Sequence, residues 1–414
     1  RIARNLTAPA GASARRHAQA LLSRRFASSD GKQLKKTLLY DEHVKAGGGM
    51  VDFADYLMPV QYKENAKAQS IIDSTKHCRT KAGLFDVSHM CSIRWRGKDA
   101  IAFVESVTVC DVEGLAPGTG TLSLIPNEQG GIIDDTMITK TSDKLGPHIY
   151  QVVNAGCAPK DLKYLEEKLG KFGGDVKMEV QWDSRGLYAL QGPQAVTVLQ
   201  RLIPNVDFSK FQFGRADNMT IKGMDVFVVR CGYTGEDGFE IFVPQDNAVK
   251  VWQLLMEQPE VMPAGLGARD ALRLEAGLCL YGHDIDDTTS PSEAGLGWTV
   301  GKGRRAAGAR PFPGSQRILE EVADAKKVRR TRVGLIPQGA PAREGSVITD
   351  AAGKTIGKVT SGAVSPILRT NISMGYIDKP NNKAGTKVQV TVRGKTNSAE
   401  VVKMPFVPTK YFKL

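Results

Sequence analysis

The most informative hydrophobic pattern in the chain is a β-hairpin whose second strand carries two adjacent acids. Residues 121–125 predict one strand, residues 126–131 a turn, and the β-branched run 132–138 the return strand. Side chains in a strand alternate between its two faces. Asp134 and Asp135 are therefore expected to point to opposite sides of the sheet.

Asp135 is predicted to share its face with Ile133 and Met137. A carboxylate among apolar neighbours costs free energy unless it has a partner. A structural interpretation is that one Asp faces water and the other accepts hydrogen bonds from a turn. A catalytic or ligand-binding Asp is the alternative, because perturbed carboxylates concentrate at functional sites. These residues alone leave both open.

A second hairpin and the helix after it carry further charges in apolar surroundings. Residues 223–244 predict two strands joined by a glycine-rich turn, with Glu240 inside the return strand. Residues 265–277 predict a helix with Arg269 in its first turn. A cation at that end opposes the helix dipole, so Arg269 is expected to reach an anion.

The pattern divides the chain into two folded regions. Residues 36–300 combine hairpins with separate helices, which favours an α+β fold of two subdomains over a doubly wound sheet. Residues 331–414 are short β-like segments separated by turns, typical of a small all-β barrel or jelly roll. Helices are predicted at 66–79, 161–169, 194–202, 248–257 and 267–277, and a shorter one between the two regions.

The N-terminal composition predicts targeting. Residues 1–29 contain six arginines and no acid, among Ala, Ser and Leu, which is typical of an organellar transit peptide. Dominant arginine favours mitochondria, and a matrix protease would cut after Phe26. A basic helix that binds membranes or nucleic acid is the alternative. We expect the mature protein not to need this segment.

Setting that segment aside lowers the formal net charge from +12 to +6, which argues against a nucleic-acid-binding protein. No apolar run approaches the ~20 residues that span a bilayer, so a soluble protein is expected. The remaining positive charge clusters near the region boundary. It predicts either a solvated linker or a docking surface for an acidic protein or polyanion. The cations are Lys302, Arg304, Arg305, Arg310, Lys326, Lys327, Arg329, Arg330 and Arg332.

Other chemical motifs are absent from the sequence. The six cysteines are scattered singly without zinc spacing, so they are expected to be free and mostly buried, with no metal site. Residues 297–303 resemble a phosphate loop but lack the Ser/Thr after Lys302. His89 belongs to no hydrolase pattern that we can place and is interpreted as a structural histidine.

Ten segments in order resemble one family, the aminomethyltransferases (T-proteins) of the glycine cleavage system, across residues 36–414. Two departures are Asp55-Tyr56, where the family usually has Gly-Trp, and Lys410, where Asn is more usual. The segments are 39–41, 59–62, 84–90, 120–124, 130–135, 154–157, 189–193, 230–238, 268–286 and 359–362.

The resemblance implies a reaction. A lipoylated partner, the H-protein, carries an aminomethyl group on a lipoyl sulfur. The enzyme transfers the methylene to the co-substrate tetrahydrofolate, which releases ammonia and forms 5,10-methylenetetrahydrofolate. It also implies the mitochondrial matrix as the location and a transferase that uses no metal.

The resemblance further implies roles for individual residues. Asp135 matches the catalytic Asp, which accepts a proton from the pterin N5. Glu240 matches a folate contact suited to the pterin 2-amino and N3–H donors. Arg269 and Tyr411 match other ligand contacts. The remaining cavity walls are expected from Asn154, Leu122, Met90 and Tyr233.

Two related families are rivals. Flavin-dependent dimethylglycine and sarcosine dehydrogenases share the folate-binding domains, but they carry an N-terminal dinucleotide fingerprint that this chain lacks. An iron–sulfur-cluster assembly factor binds folate without transferring a methylene. It carries a Lys-Gly-Cys-Tyr-x-Gly-Gln segment where this chain has residues 276–282. The transferase is therefore favoured.

Overall fold

Two helix-backed sheets and a barrel account for most of this computed structural model, which describes residues 33–62 and 70–414. The predicted transit peptide and the start of the helix predicted at 66–79 lie outside the described residues. The helices are α1 (Tyr40–Lys45), α2 (Ile71–Thr80), α3 (Ala100–Val107), α4 (Ala158–Phe172), α5 (Ala195–Leu202), α6 (Ala248–Met256), α7 (Leu266–Glu275) and α8 (Ser315–Ala323).

Twenty strands are formed in the described residues. They are β1 (Lys35–Lys36), β2 (Gly48–Phe53), β3 (Tyr56–Tyr62), β4 (Ala82–Asp86), β5 (Cys91–Arg96), β6 (Thr119–Pro126), β7 (Ile132–Asp143), β8 (Gly146–Val153), β9 (Lys177–Gln181), β10 (Arg185–Gln191), β11 (Ala216–Ile221), β12 (Met224–Val229), β13 (Gly238–Pro244), β14 (Val261–Pro263), β15 (Arg330–Pro337), β16 (Val347–Thr349), β17 (Thr355–Val364), β18 (Asn371–Asp378), β19 (Lys387–Val392) and β20 (Lys395–Val402).

Each of the two large sheets buries one face under helices. The six-stranded sheet, in the order β11-β12-β13-β10-β4-β14, packs its outer face on α5 and α6, where Val198 and Trp252 are buried. The five-stranded sheet, in the order β6-β7-β8-β5-β9, packs on α3 and α4 through Phe103 and Leu165. Alternation along the strands then leaves a second apolar face on each sheet.

The inner faces of the two sheets share one core. Leu187, Ala189 and Phe242 come from the six-stranded sheet, and Tyr150 and Val152 from the five-stranded sheet. The Tyr150 and Phe242 rings meet edge to face with centroids 4.7 Å apart. The region predicted as two subdomains is thus a pair of sheets packed face to face, and helix α7 contributes to the same core.

The C-terminal region is a closed six-stranded barrel, in the order β15-β18-β17-β16-β19-β20, which confirms the barrel prediction. Val359 and Val390 are fully buried inside it. It packs on α7, where Leu274 meets Met374. On the same helix, the Arg273 guanidinium donates to the buried Asp284 carboxylate (2.6 Å). The barrel therefore supports the helix that carries Arg269.

The sequence predicted most helices to within a few residues but missed the short helices α1 and α3. The second of these illustrates why. This helix has only two turns, and Phe103, Val104 and Val107 are buried on one side. So short a stretch shows little periodicity. All six cysteines are free, and all but Cys279 are buried, as expected. No described helix is both long and apolar enough to cross a membrane.

The basic cluster near residue 300 differs from the uniform surface or linker that was expected. Arg304 is only 2% exposed and donates to the Glu105 carbonyl (2.7 Å). Arg330 bonds the Glu293 carboxylate, and the Arg332 guanidinium donates to the Gly277 and Ala294 carbonyls. These three cations hold the fold together. The exposed ones are Lys302, Arg305, Arg310, Lys326, Lys327 and Arg329.

Candidate active site

The candidate site begins on β7, which presents its two acids to opposite sides as predicted. Asp135 pairs with Leu124, next to the pair formed by Met137 and Leu122. Directly opposed residues share a face, and Met137 packs against the core between the sheets. Asp135 therefore faces the gap between the two sheets. Asp134 points the other way, towards helix α4.

Asn154 connects the two acids. It follows β8 and begins the turn into α4, where its carbonyl accepts from the Ala158 N–H (2.9 Å). Its side-chain Nδ2 lies 2.9 Å from Asp134 Oδ1 and 2.9 Å from Asp135 Oδ1. Its backbone N–H donates to Asp134 Oδ2 (3.0 Å). One residue thus bonds both carboxyl groups at the end of the sheet.

Asp134 was expected to face either solvent or the backbone, and the structure shows the second alternative. Asp134 bonds a backbone N–H, but it is fully buried, since α4 covers this face of the sheet. Burial raises the pKa of Asp134, while hydrogen bonds from Asp161, Asn154 and Cys157 oppose this shift.

Asp135 has the electrostatics of a proton acceptor near neutral pH. Burial and the negative charge of Asp134 raise the pKa of Asp135 to about 7, against the opposing effects of Asn154 and Arg269. A general base works best when its pKa lies near the operating pH. A carboxyl group with its usual pKa would hold a proton far less readily.

Glu240 and Arg269 lie across the same gap. Glu240 pairs with Ala189 and Val229 of the shared core, so it projects inward from β13. Burial raises the pKa of Glu240, and the positive charge of Arg269 opposes this shift. Arg269 lies in the first turn of α7, with its guanidinium 4.7 Å from the centre of the Tyr233 ring. Its expected anionic neighbour is therefore Glu240.

Glu240 and Arg269 attract each other electrostatically, but within the described residues they form no direct ion pair. The guanidinium of Arg269 also makes no hydrogen bond to another described side chain or carbonyl. Half-buried guanidinium donors usually have partners. A gap whose facing sides carry donors and acceptors without protein partners is typical of a binding site for a polar ligand.

The turn that carries Tyr233 is packed around a buried glutamine. The Thr234 hydroxyl donates to Gln191 Oε1 (2.8 Å), and Gln191 Nε2 donates to the Cys231 carbonyl (2.9 Å). A Cβ on Gly232 would lie 1.9 Å from Gln191 Oε1, so only glycine fits there. The glycines of this turn let the backbone close over Gln191, which places Tyr233 under Arg269.

The C-terminal tail crosses this turn. The Lys410 N–H donates to the Gly235 carbonyl (2.8 Å), and the Tyr411 ring packs on Phe213, with centroids 4.5 Å apart. Lys410, one of the two departures from the family pattern, forms an ion pair with the buried Glu236 (3.4 Å). The tail that presents Tyr411 is thus anchored on both sides of that residue.

The other departure lies at the tip of the β2–β3 hairpin. Asp55 has φ 68°, a conformation that glycine adopts more easily. The Tyr56 hydroxyl donates to the Asp183 carboxylate, which Lys35 also pairs (3.1 Å). The Tyr56 ring lies 6.3 Å from His89, centroid to centroid. Tyr56 thus ties this hairpin to Asp183 through a polar contact.

Met90 and Leu122 are partly buried at the edges of neighbouring apolar clusters, and Met90 packs against the core between the sheets. His89 is 4% exposed, and its Nδ1 has no partner among the described residues. Burial and the charge of Arg269 lower the pKa of His89 to about 4, against the opposing charge of Asp86, so the ring is neutral at neutral pH. Its interpretation as a structural histidine stays a prediction.

Sequence reasoning missed the residues behind Asp134. Asp134, Cys157 and Asp161 each bring one polar atom within 4.8 Å of the others, and all three are buried. Asp161 was predicted only as the start of a helix. No sequence signal paired it with Asp134, because the contact arises from α4 folding onto β7.

Comparison with known proteins agrees with this architecture. The GCVT N-terminal domain family matches residues 39–304, and the glycine cleavage T-protein C-terminal barrel domain family matches residues 330–408. This chain belongs to the glycine cleavage T-protein family. The resemblance deduced from the ten sequence segments is thereby confirmed.

Individual relatives agree over nearly the whole chain. The mitochondrial aminomethyltransferase of Mesembryanthemum crystallinum is 52% identical, covering 96% of each chain. That of Dictyostelium discoideum is 47% identical over 94% of this chain and 96% of its own. The crystal structure of aminomethyltransferase T from Bartonella henselae superposes with a TM-score of 0.82 at 38% identity, covering 92% of this chain and all of the other. The protein is therefore a transferase, and its location is mitochondrial.

Proposed function

We propose that the protein transfers the methylene of an aminomethyl group from the lipoyl arm of H-protein to tetrahydrofolate. The observation that carries this proposal is the gap between the two sheets. It has a carboxyl group with a pKa of about 7 on one side. On the other side lie a buried glutamate and a half-buried arginine that, among the described residues, form no direct ion pair with each other.

In this proposal Asp135 is the catalytic carboxylate. The pterin N5 attacks the carbon between sulfur and nitrogen, and Asp135 accepts the proton that N5 loses. Asp135 returns this proton to the amino group, so that the carbon–nitrogen bond breaks and ammonia leaves. N10 then attacks the same carbon and the carbon–sulfur bond breaks. The N10 proton ends on the sulfur, which gives the dihydrolipoyl thiol and 5,10-methylenetetrahydrofolate. Asn154 supports the role of Asp135 because it fixes the carboxyl orientation through a 2.9 Å hydrogen bond.

Glu240 and Arg269 are proposed to bind folate rather than to perform chemistry. The Glu240 carboxylate matches the two adjacent pterin donors, and the planar guanidinium of Arg269 suits a carboxylate or the pterin carbonyl. Tyr233, stacked under Arg269, together with Met90 and Leu122, is proposed to line the ring site. Tyr411 is proposed to close it from the tail.

H-protein docking is proposed to use the exposed cations near the region boundary. Lys302 and Arg310 are exposed, and Arg305 is exposed although its guanidinium also donates to the Val300 and Gly297 carbonyls. Arg304 is buried and is therefore left out of this proposed surface. Opposite charge on a partner would steer association.

The decisive assay measures 5,10-methylenetetrahydrofolate formed from aminomethylated H-protein, with and without tetrahydrofolate. We expect product only when both substrates are present, and a rate roughly 10²–10⁴-fold lower from an Asp135→Asn variant at the same concentration. Ammonia release without folate turnover would identify a different activity. Tight folate binding without product would identify a binding protein.

A further inference from the structure

Asp134 and Asp161, on the side of β7 opposite Asp135, are two fully buried acids that face each other. Asp161, on the first turn of α4, and Asp134, on β7, are both 0% exposed. A carboxylate oxygen of each lies within 4.8 Å of one of the other. Two ionised carboxylates cannot bond each other, since each offers only acceptors.

The partners of the two acids differ. Asp134 accepts from the backbone and side-chain N–H groups of Asn154 and from the Cys157 thiol. No other donor among the described residues reaches either oxygen of Asp161. A buried carboxylate without donors is costly, whereas a neutral carboxylic acid can donate its own proton. The bonding pattern therefore places the proton on Asp161 and the charge on Asp134.

We propose that Asp134 and Asp161 share a single proton, and that this pair holds Asn154 so that its amide positions Asp135. The proposal rests on the proposed role of Asp135. It makes Asp161 a positioning residue, because Asp161 acts through Asp134 and Asn154 and does not face the gap.

The surrounding charges favour a proton over a second ionised acid. Burial, the charge of Asp134 and the hydrogen bond to it raise the pKa of Asp161 to about 10, and only Lys160 opposes them. Lys160 donates instead to the Ile133 carbonyl (2.5 Å) and the Tyr281 hydroxyl (2.7 Å). It therefore does not pair Asp161.

The other titratable groups around the pair add no further cation. Cys157 on the α4 turn, Cys91 on β5 and Tyr281 in the loop after α7 have their pKa values raised by burial, so all three are neutral. Arg269 on α7 acts on Asp135. One shared proton leaves a single negative charge in the buried set. A negative charge beside Asp135 keeps that group protonatable near neutral pH.

The direct test is infrared spectroscopy of the full chain. The spectrum is taken at a pH between about 7, the pKa of Asp135, and about 10, the pKa of Asp161. We expect a C=O band of a protonated carboxylic acid that shifts in D2O. It should vanish in Asp161→Asn and persist in Glu166→Gln, a matched change on the exposed side of α4. A band that persists in Asp161→Asn would overturn the shared proton.

The positioning role has a separate kinetic test. Asp161→Ala removes the donor, so kcat should fall roughly 10-fold, the scale of one hydrogen bond to a charged group, with KM for tetrahydrofolate unchanged. Asp161→Asn can still donate to Asp134 and should restore most of this loss. If Asp161→Ala lowers only the melting temperature, Asp161 is merely structural.

Two further outcomes are distinguishable. One divalent metal ion per chain, found by elemental analysis and lost in Asp161→Asn, would replace the proton with a cation and overturn the proposal. Full turnover in Asp135→Asn would refute the catalytic role proposed for Asp135, on which this inference rests. The infrared result would still report on the proton shared by the pair.

Discussion

The two sheets that face each other each contribute one carboxyl group to the same gap, in opposite electrostatic surroundings. Asp135 on β7 has a negative neighbour, Asp134, which adds to burial and raises the pKa of Asp135 to about 7. Glu240 on β13 has a positive neighbour, Arg269, which opposes the effect of burial on its pKa. In the proposed roles, the charge of the neighbouring residue separates Asp135, the proton acceptor, from Glu240, the folate contact.

The contrast between the two carboxyl groups is tested most directly by a substitution at Asp135. Asp135→Asn should lower kcat by roughly 10²–10⁴-fold, the usual range for a lost general base, because an amide cannot accept the N5 proton. The matched control is Asp134→Asn on the opposite face of the same strand. It should reduce kcat far less while lowering the melting temperature, since it disturbs a buried hydrogen-bonding network. Equal losses of kcat in both variants would refute the assignment.

Substitutions at Glu240 and Arg269 should change the affinity for tetrahydrofolate rather than the rate of the chemical step. Glu240→Gln should raise KM for tetrahydrofolate roughly 10- to 100-fold, with kcat little changed, because uniform binding is lost. Arg269→Lys should act in the same direction, since the planar fork is lost. Calorimetry measures the folate affinity directly. Unchanged affinity in Glu240→Gln would remove its proposed contact with the pterin edge.

The pH profile sharpens the contrast between the two acids. Asp135 accepts a proton only when it is ionised, so kcat/KM should fall as the pH drops below about 7. The slope should approach about tenfold per pH unit. In Asp134→Asn the like charge is removed, which lowers the pKa of Asp135 and moves this limb to lower pH. A limb that stays in place would mean that another group titrates.

The smallest effect is expected outside the gap. Activity with aminomethylated H-protein should decrease as ionic strength rises, while activity with free aminomethyl-lipoate should not, because only the protein partner is steered by charge. Arg310→Gln should weaken this salt dependence, whereas Lys395→Gln, a change in the exposed β19–β20 hairpin of the barrel, should not. A flat salt response with H-protein would leave no reason for a charged docking face.

Local sequence patterns predicted much of the fold and the elements that carry Asp135 and Arg269. The hairpin β6–β7, the helix that carries Arg269 and the C-terminal barrel were all visible as alternation, periodicity and turn residues. Alternation alone separated Asp134 from Asp135. Arg304, Arg330 and Arg332 were misjudged, because whether a cation in a basic run is exposed depends on the segment folded against it.

What the sequence determined by itself is local: which strand carries the acids, which faces they occupy and which family the chain resembles. The tertiary structure decided which charges meet. Asp134 and Asp161 are separated by the whole of β8, and Glu240 and Arg269 come from different elements. Asp134 meets Asp161 because α4 folds onto β7, and Glu240 lies near Arg269 because β13 and α7 pack into the same core. Burial strengthens both charge interactions by excluding water. The pKa of Asp135 is set by those neighbours, and no local pattern contains them.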